Sequence, residues 1–437
     1  MKEEKRDAEA GTPSYSAPIL PKNVEELRQS VQPFAASGRE KLLAFFMYLP
    51  AWLYLRSSWN DAAFYIFCAL FIAMVEWRFW AEKRSAESWV WLGCLVVIAI
   101  SEPLGRNRVW SDYRMLFLHA FAIYWVLSRS GRLFGGESGR FLPLDAFYGV
   151  VIFPFKHFFL RIRTVFYTLI HLHREEKKRS LSAILIVVLA LGLALWLLLA
   201  ALGELSGADE TFGKAVSEIL TALTSNWDPF TIELLLASLP VGAYLYGLIA
   251  GTARECRERV LARGEAVDAW VRSLRKVPCS VWTGVMTAFA AVYLAFFVLQ
   301  AGYLFGAFTR TIPEGFTVAV YARRGFFSLC RVMAVNFALL WLVTRTGARP
   351  AREDKLTRIG CTLLLAQSIL FAVIAASKLC LYIDTFGFTP RRLQSAWLIV
   401  VLAAGSAGAI HALWGGKKVF RSWMLFTGVT LALLHLW

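Results

Sequence analysis

Charged residues are scarce in this 437-residue sequence: Asp, Glu, Lys and Arg make up 18% of it, against roughly 25% in an average soluble domain. The alternation of apolar and polar residues that a transmembrane β-barrel needs is also missing. Hydrophobic residues instead make up 57% of the chain, in blocks long enough to cross a bilayer core of about 30 Å. These features exclude a cytosolic enzyme, a secreted disulfide-rich domain and a disordered chain. They predict a polytopic membrane protein.

Signals for metals and cofactors are sparse as well. The seven cysteines are odd in number, lie mostly in apolar blocks and include no Cys-x-x-Cys pair, so neither a disulfide framework nor a zinc site is predicted. His157, His171 and His173 share one segment, and ordinary interfacial histidines are favoured over a metal site. No nucleotide-binding loop or other catalytic signature occurs. We therefore expect no cofactor, no metal and no nucleic-acid partner, and the sequence leans against an enzyme.

Eleven apolar blocks are interpreted as membrane-spanning helices, so the predicted fold is an all-α polytopic transmembrane bundle. Their approximate bounds are residues 41–56, 62–80, 88–102, 113–128, 181–203, 231–251, 280–308, 326–344, 359–380, 393–413 and 419–437. Most of the 47 Lys and Arg residues fall in every second connection between blocks. By the positive-inside rule the N-terminus is then cytoplasmic and the C-terminus is outside. We expect a bacterial inner-membrane protein whose basic side meets anionic lipids of the inner leaflet.

The blocks and connections divide the chain into four predicted parts. These are a flexible cytoplasmic tail (1–40), a four-span region (41–128), a basic cytoplasmic loop (129–180) and a seven-span membrane domain (181–437). Residues 141–155 are short for a span and interrupted by prolines, which predicts an interfacial or re-entrant segment. Apolar residues then recur at helical spacing from Phe158 to Leu172. This amphipathic helix lies on the inner leaflet or covers the cytoplasmic ends of the bundle, and both interpretations remain open.

Short polar and aromatic motifs occur in three segments that are predicted on the outer side. In order they are Ala-Asp-x-x-Phe at 208–212, Gln-x-x-Tyr-Leu-Phe-Gly at 300–306, Tyr-x-Arg-x-Gly-Phe at 321–326 and Gly-x-Thr-x-x-Arg-Leu at 387–393. With these motifs in this order, the chain resembles a family of bacterial multi-pass membrane proteins, the domain of unknown function 4173, and its close relative 4153. The resemblance covers roughly residues 180–437. It implies a membrane fold and brings no established activity.

Charged residues near these motifs are the candidates for a site. The predicted polar cluster consists of Asp209, Arg323, Arg324, Arg331, Asp384 and Arg392. Arg324, Ser328 and Arg331 are spaced to share one helical stripe. At ~1.5 Å per residue, Arg331 lies about 10 Å deeper in the membrane than Arg324. An unpaired guanidinium at such a depth costs a few kcal/mol or more.

Acidic partners are therefore expected for these arginines. Asp209 is predicted to pair with Arg323 or Arg392. Arg331 is predicted to pair with one of two acidic residues, Glu233 or Asp384. Such pairs would pin the outer segments together and line a polar pocket.

Five motif residues are assigned structural roles, namely Tyr321, Gly325, Phe326, Gly387 and Thr389. Gly325 is predicted to be a hinge between a loop and a helix, because a residue without Cβ tolerates such a turn. Thr389 suits the N-cap of a helix whose first residue is Pro390.

Other polar residues within the spans are expected to hold the fold together. Asn336, Gln300 and Gln367 are predicted to form interhelical hydrogen bonds rather than to contact a ligand. Glu76 and Arg78 are predicted to form a local ion pair.

Two functions from different classes fit the sequence, and a third is disfavoured. One is permease-like or transport-associated handling of a small anionic or lipid-like solute. The alternative is a non-catalytic membrane scaffold or signalling partner. An intramembrane enzyme is disfavoured because catalytic signatures are missing. A continuous polar cavity lined by Arg323, Arg331 and Arg392 would favour transport, whereas a solid bundle with paired arginines would favour the scaffold.

Overall fold

The computed structural model describes residues 34–104, 111–172, 229–312, 314–415 and 419–436, with isolated positions between 193 and 214. These residues are helical apart from turns and short connections, and they include no β-strand. One isolated bridge joins Val277 to Gly347. Most of the predicted fifth span, 181–203, and nearly all of the predicted tail, 1–40, lie outside the described residues.

The first half of the described chain forms short and medium-length helices. They are α1 (Gly38–Phe46), α2 (Tyr48–Arg56), α3 (Asp61–Arg78), α4 (Ala86–Leu104), α5 (Ser111–Ser130), α6 (Leu142–Phe147), α7 (Phe153–Lys156) and α8 (Leu160–Leu172). A π-helical turn, Tyr148–Ile152, joins α6 to α7. Polar side chains cap the first turn of several of these helices. At α3, for example, Asn60 Oδ1 accepts a hydrogen bond from the N–H of Ala63 at 3.0 Å, which satisfies a donor that the first helical turn leaves free.

The second half contains the longer helices. They are α9 (Pro229–Tyr246), α10 (Thr252–Arg254), α11 (Arg257–Ser273), α12 (Cys279–Leu299), α13 (Ala301–Phe305), α14 (Val318–Thr346), α15 (Lys355–Phe386), α16 (Pro390–Gly415) and α17 (Val419–Leu434). A second π-helical turn, Gly247–Gly251, joins α9 to α10. Thr317 caps α14, and Asp354 caps α15 by accepting from the N–H of Thr357 at 2.9 Å.

Five stretches of the described chain are long and apolar enough to cross a membrane. They are Thr231–Arg254, Cys279–Leu299, Val318–Thr346, Lys355–Phe386 and Pro390–Gly415. The shorter apolar helices Ala86–Ser101 and Val419–Leu434 accompany them. At ~1.5 Å per residue, even the shortest of the five is about as long as a bilayer core is thick. These helices indicate a membrane protein.

The seventh predicted span, 280–308, is not one helix. α12 ends at Leu299, and Gln300 leaves the helical conformation with φ −110° and ψ 22°. The chain forms the short helix α13 and a turn before α14 begins at Val318, ahead of the predicted start at 326. Roughly 20 apolar residues already cross the hydrocarbon core. The residues beyond Leu299 therefore form a connection instead of extending the span.

Two apolar cores hold these helices together. The first joins α1–α5, α9 and α17, with Trp125 and Tyr246 among its fully buried side chains. The second joins α12, α14, α15 and α16 around Met286, Met333 and Leu364, none of which is exposed. α15 packs against the other three helices of the second core. It is the element on which the candidate site is built.

Ion pairs connect several helix ends at one end of the molecule. Arg254, which ends α10, lies 2.7 Å from the carboxylate of Glu40 at the start of α1, and Arg78 lies 3.5 Å from it. Glu76 pairs with Arg129 at the end of α5 at 3.0 Å. The predicted local pair between Glu76 and Arg78 is therefore wrong. Side chains two residues apart on a helix point to different sides and reach different neighbours.

The basic loop packs onto this charged end. Residues 142–156 form a broken helix of α6, the π-helical turn and α7, not one span. In α8, Thr164 and Thr168 are buried, whereas Ile162 is 50% exposed and Phe159, just before the helix, is 73% exposed. One face of the amphipathic helix thus covers the bundle, and its other face presents apolar side chains.

Candidate functional site

One face of α14 carries three arginines of the predicted cluster. Arg323, Arg324 and Arg331 are exposed, and so is Phe327 between them. Nη2 of Arg331 donates to Oγ of Ser328 at 3.4 Å. This bond turns the guanidinium back toward the start of α14. This geometry agrees with the prediction that Arg324, Ser328 and Arg331 share one helical stripe. That stripe faces away from the second core.

Two adjoining depressions lie along this stripe. The larger, about 420 Å³, lies between α14 and α16 and is lined by Phe327, Cys330, Arg331, Ala334, Leu398 and Leu402. We call it the arginine groove. The smaller, about 290 Å³, lies nearer the start of α14 and is lined by Ala319, Val320, Arg323, Arg324 and Phe327. Phe327 lines both depressions. The three guanidiniums therefore lie along one face of α14 whose other residues are largely apolar.

None of the acidic residues that the structure describes pairs with Arg331. Asp384 pairs with Arg310 at 3.3 Å, and both side chains are largely exposed. Glu233 is likewise not paired with Arg331. The predicted pairing of Arg331 with Glu233 or Asp384 is therefore wrong. Arg331 points outward from α14, whereas Asp384 lies at the end of α15 beside the connection that holds Arg310.

Asp209 lies outside the described residues, so its predicted pairing with Arg323 or Arg392 stays a prediction. The guanidinium of Arg392, in the first turn of α16, lies 4.3 Å from the centre of the Tyr382 ring. This cation–π contact joins α16 to α15. Arg392 is not among the residues that line the arginine groove.

Lys378 is a residue that the sequence reasoning missed. Its side chain is fully buried on α15. Nζ donates to the carbonyl oxygen of Tyr303 at 3.0 Å and lies 3.4 Å from the centre of the Tyr321 ring. A desolvated cation–π contact contributes ~2 kcal/mol or more. A lysine well inside an apolar block was the available signal, because such a residue must find a partner within the protein.

Gly325 does not act as a hinge, contrary to the prediction. It lies inside α14, where a Cβ would come within 2.7 Å of Cδ of Lys378. The glycine is needed for this close approach between α14 and α15, not for a turn. Tyr321, one helical turn earlier, is fully buried, and its hydroxyl donates to the Tyr303 carbonyl at 2.6 Å. Two of the four sequence motifs thus meet at Lys378.

The remaining motif residues shape the helix ends and the core. Phe326 is 5% exposed and belongs to the second core. Gly387 ends α15 with φ +78°, a conformation that favours glycine. α16 begins at Pro390, and the carbonyl of Thr389 accepts from the N–H groups of the first turn.

Interhelical hydrogen bonds lie deep in the second core, as predicted for Asn336 and Gln367. Asn336 accepts from the hydroxyl of Tyr293 and donates to Oγ of Ser368, both at 2.7 Å. Gln367 donates to the carbonyl of Ala290 at 3.1 Å. These residues join α12, α14 and α15. Gln300 instead is exposed at the end of α12.

At the charged end, His157 contacts a carboxylate. Its Nε2 lies 2.8 Å from Oε1 of Glu255, which also pairs with Lys156. The hydrogen bond with His157 and the charge of Lys156 outweigh burial and hold the pKa of Glu255 at about 2. His171 bonds to the carbonyl of Tyr167, and His173 lies outside the described residues. This arrangement fits a structural anchor of the basic loop.

A protein family described as Domain of unknown function (DUF4153) matches residues 42–437. Because the match covers most of the chain, the chain belongs to this family. It is one of the two related families that the sequence motifs resemble. No curated protein and no solved structure matches the chain. The family description carries no activity, so function has to be argued from the geometry of the site.

Proposed function

We propose that this DUF4153 member is a transport-associated membrane protein that handles a lipid-like anion at the arginine groove. The observation that carries the proposal is the position of Arg331, a guanidinium in a groove whose other lining residues are apolar or small. A negative headgroup joined to an acyl chain complements both parts of that lining. Such a ligand would enter from the side of the bundle.

The proposed topology has eleven spans, a cytoplasmic N-terminus and a bacterial inner-membrane location. Ion pairs gather the start of α1 and the ends of α3, α5 and α10 at one end, which supports successive crossings in alternate directions. That end also carries the basic loop, so the positive-inside rule favours a cytoplasmic position for it. The start of α14 then lies outside. The four-part division of the chain belongs to the same proposal.

The spacing of the arginines suits a lipid that spans headgroup and acyl depths. At ~1.5 Å per residue, Arg331 lies about 12 Å below Arg323 along α14. Arg323 and Arg324 would meet phosphate groups at the interface, and Arg331 reaches upward through its bond to Ser328. No carboxylate of the described chain contacts any of these three arginines. Their charges are therefore available to an anion.

The packing disfavours a water-filled permease. Met286, Met333 and Leu364 fill the second core and leave no exposed surface there. The arginines lie on the outside of this core instead of lining its interior. A solid bundle would also suit a scaffold. However, the scaffold hypothesis calls for paired arginines, and those of α14 are unpaired within the described chain.

Anionic lipids of the inner leaflet are proposed as further partners at the opposite end. Phe159, just before α8, and Ile162 on α8 are exposed beside basic residues such as Lys156, whose side chain is 50% exposed. An apolar face flanked by positive charge favours the interface of an anionic membrane.

The test is lipid binding to purified protein, measured by native mass spectrometry with phosphatidylglycerol and with phosphatidylcholine. We expect preferential binding of phosphatidylglycerol. Arg331→Leu should weaken that binding about tenfold, because a charge-assisted hydrogen bond contributes ~1.5 kcal/mol or more. Phosphatidylcholine binding should change little. Arg391→Ala is the matched control, since Arg391 is exposed at the same end but does not line the groove.

The proposal would be overturned if Arg391→Ala weakened phosphatidylglycerol binding as much as Arg331→Leu does. It would also be overturned if the protein showed no preference for phosphatidylglycerol over phosphatidylcholine. A deletion strain then separates transport from a scaffold role. The measured quantity is the cellular profile of anionic lipid-like solutes. We expect the deletion strain that carries Arg331→Leu to show the same altered profile as the deletion strain itself. If lipid binding requires Arg331 but this profile is normal, the scaffold hypothesis replaces transport.

A further inference from the structure

Lys378 is a buried cation without a counterion among the described residues. None of its side chain is exposed. The only acidic residue on α15, Asp384, pairs with Arg310 instead. Removing an ammonium from water is unfavourable unless other groups replace the lost hydration. The surroundings of Lys378 must therefore supply that stabilisation.

Two aromatic rings and a carbonyl oxygen surround the ammonium. Nζ lies 3.4 Å from the centre of the Tyr321 ring and 4.2 Å from that of Tyr303. The two rings are nearly perpendicular, with an interplanar angle of 87°. The carbonyl of Tyr303 accepts from Nζ at 3.0 Å. Proteins bind ammonium ligands in aromatic cages with these same ingredients.

Two glycines provide the space for this arrangement. A Cβ at Gly325 would lie 2.7 Å from Cδ and 3.2 Å from Nζ of Lys378. A Cβ at Gly306 would lie 2.5 Å from the carbonyl oxygen of Thr311 and 3.3 Å from the Tyr321 hydroxyl. Gly325 admits no side chain unless Lys378 shifts, and Gly306 admits none unless the backbone of its own segment shifts. The glycines of both motifs therefore serve the same cage.

Apolar packing and one ion pair also attach the segment of residues 300–312 to the bundle. Leu304 of this segment is buried in the second core, and a small cluster of three buried residues, Ala307, Tyr321 and Leu381, adds further apolar contacts. The ion pair between Arg310 and Asp384 is exposed, and exposed pairs contribute little. Among the described residues, the ammonium of Lys378 is the buried polar contact that joins this segment to α15.

We infer that Tyr303, Tyr321 and Lys378 form a closed ammonium cage that fastens the 300–312 segment to α14 and α15. The site recognises a primary alkylammonium, and the chain's own lysine occupies it. The attachment of the segment depends on that positive charge in addition to apolar packing. This inference is independent of lipid binding at the arginine groove.

The test measures how firmly residues 300–312 are attached to the rest of the bundle. Ala307 is 7% exposed, so an Ala307→Cys reporter should react slowly with a maleimide, as followed by mass spectrometry of the labelled peptide. Lys378→Met keeps an unbranched side chain that is one atom shorter and removes the charge, and we expect at least tenfold faster labelling. Lys355→Met is the control, because Lys355 is exposed on the same helix. It should leave the labelling rate unchanged.

Chemical rescue tests the nature of the site. Lys378→Ala should also expose the reporter, and added n-propylammonium, which replaces the missing part of the lysine side chain, should restore protection. The uncharged n-propanol should not. Labelling at the parental rate in Lys378→Met, or equal protection by the alcohol and the ammonium, would overturn the inference.

A second pair of variants covers the case in which lysine substitutions prevent accumulation of the protein. Tyr321→Phe keeps the ring that faces the ammonium, whereas Tyr321→Leu removes it. We expect slow labelling of the reporter in the first variant and fast labelling in the second. Equal rates in the two variants contradict the cage.

Discussion

The side chain of Lys378 crosses α14 at Gly325, where a Cβ would lie only 2.7 Å from Cδ of the lysine. α15 thereby lies close enough to α14 for the ammonium to reach the Tyr321 ring. The absence of a side chain at one position thus determines whether a buried charge finds its partners. This relationship explains why a glycine lies within a long helix, where glycine is otherwise unfavourable.

Gly325→Ala is predicted to destabilise the protein. The added methyl group overlaps the lysine stem, and overpacking of this kind costs typically 1–3 kcal/mol. The measurement is the thermal unfolding midpoint of the detergent-purified protein. Gly284→Ala is the matched control, because Gly284 lies in α12 with nothing within 4 Å of its added Cβ. The control should be neutral or stabilised by up to about 1 kcal/mol, and equal effects of the two substitutions would refute the steric argument.

Asn336 and Tyr293 are predicted to be energetically coupled. Their hydrogen bond of 2.7 Å joins α14 to α12 inside the second core. Such bonds within membrane proteins average ~0.6 kcal/mol and reach about 1.7. A double-mutant cycle of Asn336→Ala and Tyr293→Phe should measure a coupling in this range. A cycle of Asn336→Ala with Ser377→Ala should give none, because Ser377 bonds only within its own helix.

The long apolar helices could be predicted from the sequence because their signal is local. Hydrophobic blocks near 231–251 and 393–413 coincide with observed helices that are long and apolar enough to cross a bilayer, since length and hydropathy decide this property. The end of α12 was harder to place. An apolar run that continued past Leu299 concealed the break at Gln300.

The residues that were misassigned depend on which helices are neighbours. Arg331 was expected to pair with an acid because a buried guanidinium needs one, but α14 turns that face outward. The position of Lys378 inside an apolar block indicates a buried partner, but it does not identify that partner, because the cage forms only when three separate segments meet. A single sequence shows how residues are spaced along one helix. It does not carry the rotation of each helix about its axis, which decides these contacts.

Glu255→Gln is predicted to destabilise the protein at neutral pH by ~1–3 kcal/mol, because it removes a carboxylate that pairs with His157 and Lys156. The pKa of Glu255 lies at about 2, below its ordinary 4.5. Its stabilising contribution is therefore complete above about pH 4.5 and is lost as the pH falls toward 2. Unfolding midpoints measured across this range should converge at the acidic end.

Glu353→Gln is the control for that experiment. Glu353 forms an exposed pair with Arg352, and exposed pairs contribute ~0–1 kcal/mol. This variant should shift the midpoint little at any pH. A loss as large as that of Glu255→Gln would mean that burial of the carboxylate is not what matters.

Asp145 is predicted to make stability depend on pH in the opposite direction. Burial raises its pKa from 3.8 to about 6, although the N–H of Phe134 and the hydroxyl of Tyr124 both bond to the carboxylate. The folded chain thus holds the proton more tightly than the unfolded chain does. The resulting stabilisation is complete below about pH 3.8 and is lost as the pH rises through 6.

Asp145→Asn should therefore flatten the decline in the unfolding midpoint between about pH 4 and pH 7, and should stabilise the protein relative to the native chain at pH 7 more than at pH 4. An amide keeps an oxygen that can accept from Phe134, so the fold should tolerate the change. Asp61→Asn is the control, because Asp61 is exposed in the first turn of α3. An unchanged pH dependence in Asp145→Asn would show that this carboxylate is hydrated in the folded protein, contrary to its burial beside Phe134.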